Sequence, residues 1–182
     1  MDFLFSAVLL IAALAPGVVI ASLIKLTSPG PVLYWSSRVG RNNRLFSMPK
    51  FRTMLIDTPA VATHLLAEPE AYVTSIGSFL RKTSLDELPQ LWSILVGHMS
   101  VVGPRPALFN QDDLIHLRTK AGVHTLLPGL TGWAQINGRD ELPIPEKVKL
   151  DIEYMHRQSF LFDLQIVFLT FIRVLKREDV VH

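Results

Sequence analysis

The sequence predicts an α+β fold, mainly helical, in which an apolar N-terminal membrane helix and a small β-hairpin join further helices around one domain. Three observations carry this. Residues 3–24 contain no charged side chain. Two short apolar strands flank a turn rich in glycine and asparagine between residues 32 and 48. Helix-length runs fill most of the remaining chain, with no internal repeat, low-complexity tract or long linker to mark a second globular domain. At 182 residues the chain is one domain long, enough to bury a core. Its 49% apolar content and mean hydropathy of +0.31 are high for a soluble domain, and the excess is concentrated near the N-terminus.

The first element is the run from Phe3 to Ile24, bracketed by Asp2 and Lys25. As a straight helix rising ~1.5 Å per residue it would be about 33 Å long, enough to cross a bilayer core. It lacks a basic leading region and a small-x-small cleavage site, which argues against a signal peptide. Ala15-Pro16-Gly17 lies just past its middle. Proline removes a backbone donor and clashes with the preceding turn, so a break or sharp bend is expected there. Two readings are open: a spanning helix that carries a proline, or a bent helix that re-enters the leaflet it came from.

Ser28-Pro29-Gly30-Pro31 ends this helix. Val32–Trp35 and Leu45–Met48 read as strands, with Gly40, Asn42 and Asn43 supplying the turn of a hairpin. Helices are expected over 60–67 and 71–82, separated near Glu68-Pro69, then over 89–96, 110–121 and 145–157. Leu127 to Trp133 reads as a loop. The last helix, 159–176, is apolar on nearly every side but too short to span. It is either packed into the core or interfacial, ending in Arg173, Lys176 and Arg177.

A net charge of +2 gives no case for nucleic acid. The basic residues are clustered instead: Arg38, Arg41, Arg44, Lys50 and Arg52 share one short stretch. Such a cluster is a solvated face or a site for phosphates and anionic head groups. Without cysteine there is no disulfide framework, thiolate nucleophile or Cys-based zinc site. The histidines show no HxH or HxxxH spacing, and no GxGxxG or Walker motif is present. A dinucleotide oxidoreductase and a P-loop kinase are therefore disfavoured.

The densest chemistry lies between Leu80 and Trp92. Ser84 followed by Glu87 matches a capping box, with Pro89 in the first turn of the next helix. On that structural reading Ser84, Asp86 and Glu87 only start a helix. On the functional reading, the helix dipole keeps the Asp86 and Glu87 carboxylates ionised, while Arg81 and Lys82 hold a phosphate beside them. An ionised carboxylate next to a phosphate cradle is what nucleophilic catalysis at phosphorus requires. A divalent cation with oxygen ligands, Mg²⁺ foremost, would lower the repulsion. Gly103-Pro104-Arg105-Pro106 is a second phosphate candidate, its arginine fixed between two prolines; otherwise it is a surface turn. Lys50-Phe51-Arg52-Thr53-Met54 is a third.

Taken in order, these segments resemble the monotopic phosphoglycosyl transferases, the bacterial sugar transferase family that primes glycan assembly on a polyprenyl phosphate. The resemblance extends over essentially the whole chain. It comprises the apolar helix with a central proline, Ser28-Pro29-Gly30-Pro31-Val32-Leu33, Arg38-Val39-Gly40, Lys50 to Met54, Arg81 to Leu91 and Met99 to Pro106. It continues through Pro128 to Arg139 and the Asp-x-x-Tyr pair Asp151 and Tyr154. It implies a re-entrant membrane helix over 1–26, broken at Ala15-Pro16, and a cytosolic catalytic domain over 27–182. It further implies transfer of a sugar 1-phosphate from a UDP-sugar to undecaprenyl phosphate, releasing UMP, at the cytoplasmic face of the bacterial inner membrane. Asp86 would be the covalent nucleophile of an Asp86-Glu87 dyad, with Mg²⁺ as cofactor held by the same pair. Arg81 and Arg105 would contact donor phosphates, with Lys50, Arg52 and Arg139 as further substrate-binding candidates. Departures from the family pattern are Ala15 in place of serine, no basic residue before the membrane segment, His98 in place of aspartate, and Leu127 in place of a basic residue. Two other classes fit parts of the pattern: a glycosyltransferase that moves the sugar without its phosphate, and a non-catalytic membrane scaffold.

Overall fold

The computed structural model describes residues 2–59, 69–138 and 142–176. The chain is mostly helical, with an antiparallel strand pair and one apolar N-terminal helix. That helix, α1 (Asp2–Thr27), is continuous, with Pro16 inside it. The expected interruption at Ala15-Pro16 is therefore not a break in the helix. Proline forfeits one N–H donor, but both halves are held against the same body. Leu10 and Ala13 pack with Met48, Leu91, Ile94 and Met99 before the proline. After it, Ile20 and Ile24 are buried with Phe51 and Leu80. These contacts recur at helical spacing and mark one stripe of the helix. The other side leaves Ile11, Leu14, Val18, Val19 and Leu26 exposed. By length and composition, Leu9–Thr27 is apolar enough to cross a membrane.

The hairpin is present and longer than expected. Strand β1 (Leu33–Val39) pairs antiparallel with β2 (Leu45–Phe51), from Leu33 opposite Phe51 to Val39 opposite Leu45. A 3₁₀ turn over Arg41–Asn43 joins them, with Asn42 and Asn43 at φ of 56° and 59°, a left-handed conformation that asparagine tolerates better than most residues.

Of the expected helix over 71–82, only α2 (Gly77–Lys82) forms. Residues 69–72 make a 3₁₀ turn and Val73 bridges Met54. The amide of Thr74 bonds to the Thr53 carbonyl and that of Leu55 to Tyr72, so pairing with a distant segment overrides local helical spacing. The predicted helix at 60–67 lies outside the described residues. Then come α3 (Gln90–Leu95), β3 (Ser100–Val102), α4 (Asp112–Lys120), β4 (Gly129–Thr131), α5 (Trp133–Ile136), α6 (Ile144–Arg157) and α7 (Phe160–Lys176).

The stretch expected to be a loop at 127–133 thus holds β4, which pairs in parallel with β3, and the start of α5. This pairing depends on bare backbone. A Cβ on Gly129 would stand 2.1 Å from the Gly103 nitrogen, so only glycine permits the approach. Helix α7 resolves the choice between core and surface in favour of both. Phe162 and Ile166 are buried with Val102, Ile136 and Tyr154, while Phe160, Leu161, Leu164, Phe168 and Phe171 are exposed.

Candidate active site

The site is built around the turn after α2. Ser84 adopts a left-handed conformation, φ 55° and ψ 17°, and Leu85–Glu87 form one 3₁₀ turn. Leu85 and Leu88 pack against the cluster of Ile20, Ile24, Phe51 and Leu80, so the two carboxylates between them are held on a fixed backbone. The capping box does not form. Ser84 makes no side-chain cap bond, and the Glu87 side chain turns away to accept from Lys50 Nζ at 3.0 Å and Arg105 Nη2 at 3.3 Å, both at Oε1. The motif that reads as a helix start is a carboxylate pair presented to cations.

Asp86 is buried, with 8% of its surface exposed. Burial lifts its pKa from 3.8 to about 6 against the pull of Lys50; Glu87 adds to the rise, and Arg105 and Arg81 oppose it. This corrects the expectation that a helix dipole keeps Asp86 readily ionised: a single 3₁₀ turn has little dipole, and desolvation dominates. Glu87 behaves in the opposite way. Burial raises it, but Lys50 and Arg105, through charge and hydrogen bonds, hold it well below the usual carboxylate range. Arg81 donates from Nε to Thr53 Oγ1 at 3.0 Å. Burial lowers its pKa, countered by Asp86, and an arginine stays charged throughout.

Arg105 is held by its neighbours' backbone and side-chain bonds. Its carbonyl accepts from Arg118 Nη1 at 2.8 Å, and the Pro106 carbonyl accepts from Arg38 Nη1 at 3.1 Å. The Pro104 carbonyl accepts from the Gly129 amide and the Ala107 carbonyl from the Val39 amide, both at 2.9 Å. Four consecutive carbonyls are thus tied to α4, β1 and β4, leaving the guanidinium as the part of the loop that meets Glu87.

A family model described as bacterial sugar transferase matches residues 1–177. The chain belongs to the bacterial sugar transferase family. It is 43% identical to the undecaprenyl-phosphate glucose phosphotransferase of Komagataeibacter xylinus, over 96% of this chain and 34% of that protein. It is 42% identical to the UDP-glucose:undecaprenyl-phosphate glucose-1-phosphate transferase of Escherichia coli, over 83% and 34% respectively. The exopolysaccharide production protein ExoY of Sinorhizobium fredii is 38% identical over 90% of this chain and 79% of its own length. The chain therefore spans about a third of the first two relatives and most of the third.

In this bacterial sugar transferase the structure brings together Asp86, Glu87, Lys50, Arg81 and Arg105. Arg52 is not among them. Its buried guanidinium donates to the Pro29 carbonyl at 2.6 Å and to the Ser28 carbonyl and hydroxyl at 3.0 and 2.9 Å, locking the turn that ends α1. Arg139 lies outside the described residues. Sequence reasoning missed Arg118, which joins buried Asp151 through Nη2 at 2.7 Å and Nε at 2.9 Å; only Asp151, within the Asp-x-x-Tyr pattern, carried a signal. Among the described residues, no three His, Asp or Glu side chains gather as a metal cage. Asp86 and Glu87 are the two carboxylates of this turn that could hold a divalent cation such as Mg²⁺, which commonly binds through one or two carboxylates and completes its shell with phosphates and water.

Proposed function

We propose that this protein moves a sugar 1-phosphate from a UDP-sugar to undecaprenyl phosphate through a covalent intermediate on Asp86. The observation that carries this is the buried Asp86 carboxylate beside a glutamate already clamped by two of three surrounding cations, Lys50 and Arg105. The name of the Escherichia coli relative, which specifies UDP-glucose and undecaprenyl phosphate, makes UDP-glucose the first donor to test.

An Asp86 oxygen attacks the sugar-linked phosphorus, the bond from that phosphorus to the bridging oxygen breaks, and UMP leaves with the electron pair. An oxygen of the lipid phosphate then attacks the same phosphorus, and the Asp86 carboxylate is released. Both nucleophiles are anions, so neither step needs a base. What the site supplies is position and charge: Lys50, Arg81 and Arg105 offset repulsion between carboxylate and phosphate. Glu87, held ionised by Lys50 and Arg105, fixes those cations rather than taking a proton. Asp86 and Glu87 would hold Mg²⁺ with the donor diphosphate, and the ion would neutralise part of its charge.

Membrane attachment through α1 at the cytoplasmic face of the inner membrane is part of the same proposal. A helix whose inner stripe is covered by the catalytic body on both sides of Pro16 supports a shallow, monotopic placement over a free crossing. The exposed apolar side of α7 offers a second contact with lipid. A cysteine introduced at position 2 should react only with reagents that reach the cytoplasm; labelling from outside the cell would overturn the placement.

The chemical test incubates the protein with Mg²⁺ and UDP-glucose without lipid. A phosphosugar should remain on the protein with stoichiometric UMP, and Asp86→Asn should abolish both. Release of UDP would establish plain glycosyl transfer. UMP that appears only with lipid present would establish direct displacement.

A further inference from the structure

Lys50 faces Tyr34 directly across the hairpin. Side chains opposite one another in an antiparallel ladder share a face, with Cβ atoms roughly 5 Å apart. Following that face along the strands gives Ser36 opposite Met48, both buried, then Arg38. Arg38 binds the Pro106 carbonyl, and Lys50 binds Glu87. This face of the hairpin is therefore the wall on which both the Asp86-Glu87 turn and the Arg105 loop rest. Tyr34 occupies its open end.

The environment of Tyr34 is unlike that of its neighbours on this face. Ser36 is 2% exposed and Met48 3%, whereas Tyr34 is 51% exposed. It adds little to the core, yet it stands beside a cation of the site. Lys50, Arg81 and Arg105 answer the charge of a diphosphate, but a nucleotide sugar also presents two rings, a flat pyrimidine and a hexose with a C–H-rich face. Charged groups bind neither ring well; an aromatic face binds both.

We infer that Tyr34 is a donor-contacting residue whose ring packs on one of those rings when the diphosphate engages Lys50 and Arg105. This rests on the donor class proposed above and adds a specificity determinant to it. Tyr34 takes no part in bond making; it sets how tightly and in which pose the donor is held.

The test is equilibrium binding to the full chain in detergent with Mg²⁺. UMP and UDP-glucose are titrated against three proteins: the Asp86→Asn protein, which cannot form the adduct, and its Tyr34→Ala and Tyr34→Phe derivatives. Tyr34→Ala should weaken UDP-glucose binding about tenfold, and Tyr34→Phe should stay within about twofold, because the ring and not the hydroxyl makes the contact. If UMP weakens in parallel, the ring packs on the pyrimidine; if UMP is unchanged, it packs on the sugar. Equal UDP-glucose affinity in all three proteins overturns the inference. So does a loss in Tyr34→Phe as large as in Tyr34→Ala. Unchanged donor affinity together with weaker co-sedimentation of Tyr34→Ala with anionic phospholipid vesicles also overturns it, since Tyr34 would then be a lipid anchor. Formation of the phosphosugar adduct by the wild type is judged separately, so an intact adduct with unchanged Tyr34→Ala affinity removes this inference alone.

Discussion

Arg118 Nη1 donates to the carbonyl oxygen of Arg105 at 2.8 Å, so an α4 side chain grips the backbone of the residue whose guanidinium reaches Glu87. Arg118 is itself fixed by Asp151, with the two side chains 9% and 2% exposed. The Arg105 loop therefore hangs from a buried ion pair.

Asp151→Asn leaves the buried Arg118 cation without its counter-charge and should cost about 3 kcal/mol of stability, measured by chemical denaturation in detergent. Replacing both partners by apolar residues, Arg118→Met with Asp151→Leu, should recover most of that stability. It should still raise the half-saturating donor concentration, because the bond to the Arg105 carbonyl is gone. Recovery of both properties would show that the pair has no positioning role.

Arg105→Ala should lower the rate of UMP release at least a hundredfold, on the order of 3 kcal/mol in the transition state. Arg105→Lys should recover only part, since lysine offers a point charge and no fork. A near-normal rate for the alanine variant would reduce the loop to scaffolding.

The raised pKa of Asp86 has a consequence for stability. A carboxyl whose folded pKa of about 6 exceeds its unfolded 3.8 disfavours folding once it ionises, so its cost is absent below pH 3.8 and complete above about 6. With divalent ions chelated, Asp86→Asn should therefore unfold at a higher temperature than wild type at pH 7.5. The gap should shrink through pH 6 to 4 and close below that. A gap that grew on acidification would show that Asp86 is stabilised as the anion.

Among the described residues, Ser84 is the third non-glycine position at positive φ, after Asn42 and Asn43. Ser84→Gly should be neutral or mildly stabilising, whereas Ser84→Val should cost roughly 1–3 kcal/mol, because a β-branched residue resists the left-handed conformation. Thermal midpoints of the two variants check this. Equal midpoints would mean that the turn relaxes to ordinary φ.

The elements legible in the sequence were those that punctuation and periodicity specify. Gly40, Asn42 and Asn43 announced the hairpin, the uncharged run announced α1, and the spacing over 145–157 announced α6. The density of charged residues between Arg81 and Glu87 marked the centre of the site. What stayed hidden was set by contacts between distant segments. The β3–β4 pair is three residues a side, too short for alternation to register, and is made possible by glycine. Arg118 gives no local sign of Asp151, 33 positions away. Arg52 looked like its neighbour Lys50, yet its guanidinium is buried against Ser28 and Pro29, at the foot of α1 rather than beside Glu87.

Because the inner stripe of α1 completes two of the hydrophobic clusters under the site, the apolar N-terminal helix is also a structural wall of the body that carries the site. Cutting the chain after Thr27 would bare Phe51, Leu80, Leu91 and Ile94 to water, beside Lys50 and the Asp86 turn. Such a fragment would lose its shape. A water-soluble form is better sought by repainting the outer side, Ile11, Leu14, Val18, Val19 and Leu26, with polar residues while keeping Leu10, Ala13, Ile20 and Ile24.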